Sequence, residues 1–150
     1  MNRLRLVAFG LLALLAGCGP STPPSAQDIA GKSPVGSIRM FQHVAGGKIT
    51  GDGSLSYGGI TYSFKLTGTV DGNVPRSGDI VGEGEVYGIN QLTDFTGRFA
   101  QANGALRMDG SGSNTLWMRN GTNVVIRLRS KDGMVLPRIG NDVVYIPQLN

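Results

Sequence analysis

From residue 37 onward, hydrophobic and polar side chains alternate along most of the chain, which is the pattern of strands that bury one face. The clearest cases are residues 60–67 (ITYSFKLT) and 124–129 (VVIRLR), and residues 143–146 (VVYI) form a short β-branched run. Weaker candidates of the same kind are residues 37–44, 49–57, 79–87, 96–100, 105–109 and 115–118. The chain is therefore predicted to contain about eight to ten short strands.

Residues that favour tight turns lie among these candidate strands. Asp-Gly and Asn-Gly pairs tolerate the positive φ angles that hairpin turns require. The pairs are Asp52-Gly53, Asp71-Gly72, Asp109-Gly110, Asp132-Gly133 and Asn120-Gly121. Only residues 89–95 indicate a helix, a single turn that Asn90 would cap. The pattern predicts an all-β fold, either an antiparallel sandwich or a small barrel.

Two glycines, Gly82 and Gly84, alternate within the candidate strand 79–87 and would lie on one face of it. Glycine inside a strand marks a bulge, a sharp bend or a close approach of neighbouring backbone. The alternative is that the two glycines leave room for a ligand inside a small barrel. Packing or bending is the favoured interpretation.

The first 17 residues have the character of an export signal. Arg3 and Arg5 precede the apolar run 6–16, which as a helix would cover only about half of a bilayer core of roughly 30 Å. The run ends in Leu15-Ala16-Gly17-Cys18, which resembles the lipobox of bacterial lipoproteins at each of its four positions. The resemblance implies cleavage before Cys18 and lipid attachment to its thiol. The alternative is a protein secreted without an anchor.

Cys18 is the only cysteine, which excludes an internal disulfide and any multi-cysteine metal site. Several acyl chains on one residue would anchor the domain stably in a membrane of the bacterial cell envelope. The next residue is Gly19, whereas the inner-membrane retention signal of enterobacterial lipoproteins has Asp there. In a Gram-negative host, the resemblance therefore favours the outer membrane over the inner one.

The residues that follow Cys18 differ in composition from the rest. Residues 18–36 are rich in Pro, Gly and Ser, which is typical of a flexible tether. If part of this segment packs on the domain, Ile29 and Val35 are the candidates. The predicted organisation is a cleaved signal peptide at 1–17, a lipidated tether at 18–36 and one β domain at 37–150.

The charge of the mature chain does not indicate a nucleic-acid partner. The full chain carries a net charge of +4, but loss of Arg3 and Arg5 leaves 12 basic residues against 10 acidic ones, a net charge of +2. Nucleic-acid binding usually needs a stronger basic character. The expected partners are membrane lipid, reached through acylated Cys18, and either an envelope protein or a small apolar ligand.

Glu83 and Glu85 are the only glutamates, and on a strand they share a face about 7 Å apart. Two carboxylates near that distance are compatible with cleavage of glycosidic bonds. The other interpretation is a surface pair that faces Arg127 and Arg129 on a neighbouring strand. We favour the surface pair, because catalytic carboxylates usually come from different elements and no additional aromatic residues for sugar binding accompany these two.

Other candidate chemistry is weaker. His43 has no carboxylate close in sequence to orient it. Residues 109–114 (DGSGSN) resemble the start of a calcium loop but lack its spaced carboxylates, and Asn120 stands where Glu is needed. The sequence has none of the common hydrolase or nucleotide-binding motifs. No catalytic residue, metal site or cofactor is predicted.

Residues 86–99 and 120–128 resemble a motif pair of small exported β-rich proteobacterial proteins of unknown function. That resemblance implies a β-rich fold and carries no catalytic residue. The sequence predicts a membrane-anchored envelope lipoprotein whose β domain is a non-enzymatic binding or assembly module. The alternatives are a small barrel that binds an apolar ligand or lipid, and a hydrolase of envelope polymers that uses Glu83 and Glu85.

Overall fold

In a computed structural model, the residues described are 24–69, 78–101, 115–130, 143–146 and 149. Eight strands pair antiparallel and close into a barrel in the order β1-β2-β3-β8-β5-β6-β7-β4. The strands are β1 (Gly36–Ala45), β2 (Lys48–Tyr57), β3 (Ile60–Thr69), β4 (Gly78–Tyr87), β5 (Gly97–Gln101), β6 (Thr115–Asn120), β7 (Val125–Ser130) and β8 (Val143–Ile146). The all-β antiparallel prediction is confirmed, and the barrel is the form adopted.

Each predicted strand within the described residues is present, whereas the candidate at 105–109 lies outside them. The alternation holds well in β1, where every second side chain from Ile38 to Val44 is buried. The barrel interior is filled by a single apolar cluster to which all of the first seven strands contribute. Its largest fully buried members are Met40, Ile49, Leu55, Phe64, Leu66, Phe95, Phe99, Met118, Ile126 and Leu128.

A short 3₁₀ helix, Leu92–Phe95, connects β4 to β5 and carries Phe95 into this core. The Phe95 ring lies between Phe64 and Phe99, with centroids 5.3 and 5.9 Å away. The predicted helical turn is therefore present, but Asn90 does not cap it. Instead, the Asp94 carboxylate accepts the backbone N–H groups of Gln91 and Asn90, at 3.0 and 3.1 Å. The hydrogen bond from Gln91 is the main cause that holds the pKa of Asp94 below its ordinary value.

Two of the turns differ from the prediction. The β1–β2 and β2–β3 hairpins turn at Gly46-Gly47 and Gly58-Gly59, and all four glycines have positive φ. Asp52-Gly53, predicted as a turn, lies inside β2 instead. The Asn120-Gly121 prediction is confirmed, since β6 ends at Asn120 and its side chain holds the turn to β7 by accepting the N–H groups of Thr122 and Val124. The other three Asp-Gly pairs lie outside the described residues.

Position 53 lies inside a strand, and it is glycine because no larger residue fits there. A Cβ atom at Gly53 would lie 2.4 Å from the Phe64 ring and 2.5 Å from the carbonyl oxygen of Arg39. Gly84 is more crowded, because its Cβ would lie 1.7 Å from the carbonyl oxygen of Arg127, and at Gly82 it would lie 2.7 Å from Leu128 Cγ. The packing interpretation of Gly82 and Gly84 is confirmed, because neighbouring atoms already occupy the space beside them.

The residues just before β1 pack on the outside of the barrel, and we call residues 25–35 the strap. Asp28 lies in a 3₁₀ helix (Ala26–Asp28), and its carboxylate accepts a hydrogen bond from the Arg119 guanidinium at 2.6 Å. Further along, the Val35 N–H donates to the carbonyl oxygen of Val86 at 2.8 Å. Between these contacts, Ile29 covers an outer apolar cluster formed by Tyr87, Trp117 and Val125.

Part of the predicted tether thus lies against the barrel. Of the two apolar candidates, Ile29 packs on it with its side chain, whereas Val35 is 44% exposed and contacts it through its backbone N–H. Among the residues described, no helix has the length and hydrophobicity that a membrane span needs. Cys18 lies outside the described residues.

We predict that Gly84→Ala lowers the free energy of unfolding by about 2–4 kcal/mol, because the added methyl group meets backbone that cannot move without breaking the β4–β7 ladder. Urea denaturation measures this. Ser63→Ala, an exposed change on β3, is the control and should stay within about 0.5 kcal/mol of the parent. Equal stability of the two variants would show that the approach of Gly84 to Arg127 is not tight.

The strap should loosen in acid. Burial raises the pKa of Asp28, but hydrogen bonds from Ser25 and the Arg119 guanidinium outweigh it and hold the pKa below 3.8. Because the pKa of Asp28 is lower in the docked state, its ionised carboxylate stabilises the docked strap above about pH 3.8. This stabilisation is lost as the pH falls through the lower pKa of the docked state. Trp117, the only tryptophan, lies under Ile29 and reports docking through its quenching by acrylamide.

The variant Asp28→Asn should increase this quenching already at pH 7, because it removes a partly buried ion pair that contributes roughly 1–3 kcal/mol. Asp52→Asn, an exposed change on β2, is the control and should leave quenching unchanged. Identical quenching of parent and Asp28→Asn from pH 7 to pH 3 would contradict a strap held by this pair.

Candidate functional site

Charged and hydroxyl side chains form two rows across the outside of β2, β1, β4 and β7. The register aligns Ser54, Arg39, Glu83 and Arg129 in one row. It aligns Ser56, Ser37, Glu85 and Arg127 in the next row. We call these eight residues the polar face. The rows follow from strand alternation, because the neighbours of inward-facing residues point outward on every strand.

The polar face is concave. An open depression of about 540 Å³ is lined by the side chains of both rows except Arg127, together with Ile38 and Gly84. Its floor is the sheet itself, and Gly84 contributes no side chain to it. The volume lies within the range of sites that hold small ligands. Four strands contribute to the depression, so its shape depends on the register of the closed barrel.

The ion pairs of this face are weak because they are exposed. Arg39 Nε lies 3.5 Å from Glu83 Oε1, and the two side chains are 59% and 49% exposed. Pairs of this kind contribute little to stability and are screened by salt. A ligand could therefore replace this ion pair at small cost. On the neighbouring strand β7, the Arg127 guanidinium lies over the Trp117 ring, 5.4 Å from its centroid.

One acceptor on the polar face is sheltered and unsatisfied. Glu85 Oε2 is shielded from solvent and has no hydrogen-bond partner among the described residues. A buried acceptor without a partner costs about 1–3 kcal/mol. Glu85 also lines the depression. The unsatisfied oxygen itself lies beneath the surface, where solvent does not reach it.

The structure supports the surface interpretation of the two glutamates. Glu83 is opposite Arg129 and Glu85 is opposite Arg127, as the sequence predicted. Both carboxylates come from one strand and lie on one face of the sheet, whereas a catalytic pair flanks the scissile bond from two sides. The sequence did not predict Arg39, Ser37, Ser54 or Ser56 as part of the site. Their involvement depends on β4 pairing with β1, and the sequence contains no local signal for that pairing.

His43 does have a carboxylate partner, which the sequence could not identify. Its Nδ1 lies 2.6 Å from Asp79 Oδ1 across the β1–β4 ladder. Thr50 is the neighbour of His43 on β2, but no hydrogen bond joins their side chains in the described part of the barrel. Both members of the pair are more than half exposed. The arrangement is a hydrogen-bonded histidine–aspartate pair at the surface.

No group of three or more metal-ligating side chains is found within the described ranges. Residues 109–114, which resemble a calcium loop, and the lipobox cysteine Cys18 lie outside those ranges. No protein-family model, curated protein or solved structure matches this chain. The resemblances to lipoproteins and to small exported proteins therefore stay predictions.

We predict that the double variant Glu83→Gln, Glu85→Gln changes the free energy of unfolding by about 1 kcal/mol or less, because the Arg39–Glu83 ion pair that it removes is exposed and Glu85 Oε2 has no hydrogen bond to lose. Urea denaturation at low and high salt measures the effect, which should shrink at high salt as screening removes the pairs from the parent protein. Leu128→Ala, a core change beside the same ladder, is the contrasting control and should cost about 2–5 kcal/mol. If the double glutamate variant lost as much stability as Leu128→Ala, the glutamate–arginine ladder would be a major contributor to the free energy of unfolding.

Proposed function

We propose that this protein is a membrane-anchored lipoprotein of the bacterial cell envelope whose barrel is a non-enzymatic binding or assembly module. The observation that carries the proposal is the polar face. Its charged and hydroxyl groups lie together on the outside of a barrel whose interior is filled by apolar side chains. A rigid sheet that presents fixed polar groups is suited to recognition.

The packed interior favours binding on the outside. A ligand held within the barrel would have to displace side chains such as Phe64, Phe95 and Met40, which are at most 1% exposed. Removing such side chains from a close-packed core costs several kcal/mol. Gly82 and Gly84 provide no space for it, since Leu128 and Arg127 lie directly against them. These contacts support the outer face over the alternative of an apolar ligand inside.

The polar face also favours binding over hydrolysis. Hydrolysis of a polymer needs an acid and a base or nucleophile on opposite sides of the bond. Glu83 and Glu85 lie on the same strand and face Arg129 and Arg127. The two residues are better suited to accept hydrogen bonds from a bound ligand.

Anchoring rests on the lipobox at Leu15-Ala16-Gly17-Cys18. Acylation of Cys18 would make membrane lipid the first partner of the protein and place the barrel in the cell envelope, in the outer membrane if the host is Gram-negative. It would also remove the reactive thiol that a lone cysteine leaves in an exported protein.

The anchoring part of the proposal is tested by Cys18→Ser in cells supplied with labelled palmitate. The parent should carry the label and sediment with membranes, whereas the variant should lose the label and keep its uncleaved signal. Ser21→Ala, three residues further along, is the matched control and should behave as the parent. Label retained by Cys18→Ser, or a parent without label, would overturn the proposal of a lipoprotein.

A further inference from the structure

We propose that the polar face, together with the exposed ring of Phe41 beside it, binds a strand of uncharged polysaccharide. The inference names the ligand class for the binding function proposed above and rests on that function. It is carried by three features of the face: its charge balance, its hydrogen-bonding groups and its aromatic neighbour.

The charges of the polar face alternate in sign. In the row through Arg39, Glu83 has an arginine on each side, Arg39 on β1 and Arg129 on β7. In the next row, Glu85 lies between Ser37 and Arg127. A strongly anionic polymer would meet carboxylates as well as guanidinium groups, and like-charge contacts are costly. With three arginines and two glutamates, the face has a net charge of only +1, and this pattern favours a ligand that has many polar groups and no net charge.

The hydrogen-bonding groups of the face match those of sugars. A sugar hydroxyl both donates and accepts, so it can satisfy an arginine, which only donates, or a carboxylate, which only accepts. Ser37 and Ser54 add hydroxyl groups that do both. Glu83 and Glu85 also line the depression and offer carboxylate acceptors there.

Phe41 supplies the apolar part of the surface. It is 40% exposed and is the one aromatic side chain among the exposed large hydrophobic residues that the structure describes. It follows Arg39 on the same side of β1, with Asp52 and Val81 as its cross-strand neighbours. One face of a pyranose ring presents mainly C–H groups, which pack against an aromatic ring while the ring's hydroxyls reach polar groups at its edge. The sequence did not indicate this aromatic residue as a partner of the glutamates, because it lies on a different strand.

The shape of the site favours a strand over a single sugar. The depression crosses four strands and is open to solvent, so a ligand longer than one sugar can lie across it. Beyond Arg39, the surface continues past Phe41 to His43 and Asp79. A chain of several sugar units could lie along this path and contact Phe41 and the depression at once.

The test is calorimetric titration of the full-length chain, kept in a detergent without a sugar headgroup, with uncharged hexasaccharides. The probes are β1,4-linked glucose, α1,4-linked glucose and β1,4-linked N-acetylglucosamine. We expect at least one to bind with a dissociation constant below about 1 mM. Phe41→Ala should weaken that binding by about tenfold, the size typical of one lost desolvated contact. Ile60→Ala removes an apolar side chain of similar exposure outside the polar face and should leave binding unchanged.

Three results would overturn the inference: none of the hexasaccharides binds, Phe41→Ala and Ile60→Ala bind equally well, or only dextran sulfate, an anionic polymer, binds. Because Phe41 and Ile60 are exposed, both variants should fold, and circular dichroism checks this. Membrane attachment through Cys18 without sugar binding would overturn the inference alone. Absence of lipid on Cys18 would overturn the anchoring part of the proposed function and leave the sugar titration to decide the inference.

Discussion

The rest of the barrel depends on the close approach of β1 to its two neighbours. Met40 on β1 has Gly53 beside it on β2 and Gly82 beside it on β4. A closed barrel of eight strands has space inside for side chains but little more. A Cβ atom at Gly53 would meet the Phe64 ring and one at Gly82 would meet Leu128, so larger residues at these two positions would displace core side chains. Glycine beside a large side chain therefore allows the sheet to close, and closure leaves no unpaired edge along β1.

This packing also sets the geometry of the outer surface. Inner and outer side chains alternate on each strand, so a slip of one residue would exchange them. With Met40 fixed between its glycines, Arg39 can lie only between Ser54 and Glu83. The polar face is thus positioned by residues that do not belong to it. A rigid interior that is filled by its own side chains leaves recognition to the outside of the sheet.

The sequence predicted local structure well and tertiary neighbours poorly. Strands such as 60–67 were evident because alternation is a local pattern with one strong physical cause, burial of one face. The prediction of a turn at Asp52-Gly53 was wrong. Glycine is required there because the Phe64 ring crowds the backbone, and this crowding is evident only in the folded barrel. The glutamate–arginine ladder was predictable from complementary charge, but the place of Arg39 beside it depends on the pairing of β4 with β1. The composition of the strap predicted a free tether. It packs on the barrel instead, because Asp28 and Ile29 have contact partners there.

The docked strap has a consequence for how far the barrel could stand from a bilayer. With Cys18 acylated as proposed, five residues lie between it and Pro24, which is buried, and an extended chain spans at most about 20–22 Å from Cys18 to Pro24. With the strap released, the tether would extend to Val35 and span at most about 56–61 Å. Docking of the strap would therefore shorten the tether to about a third of its released length and confine the barrel to a much smaller volume above the lipid. For a ligand that is fixed within that volume, the effective concentration of the barrel would be correspondingly higher.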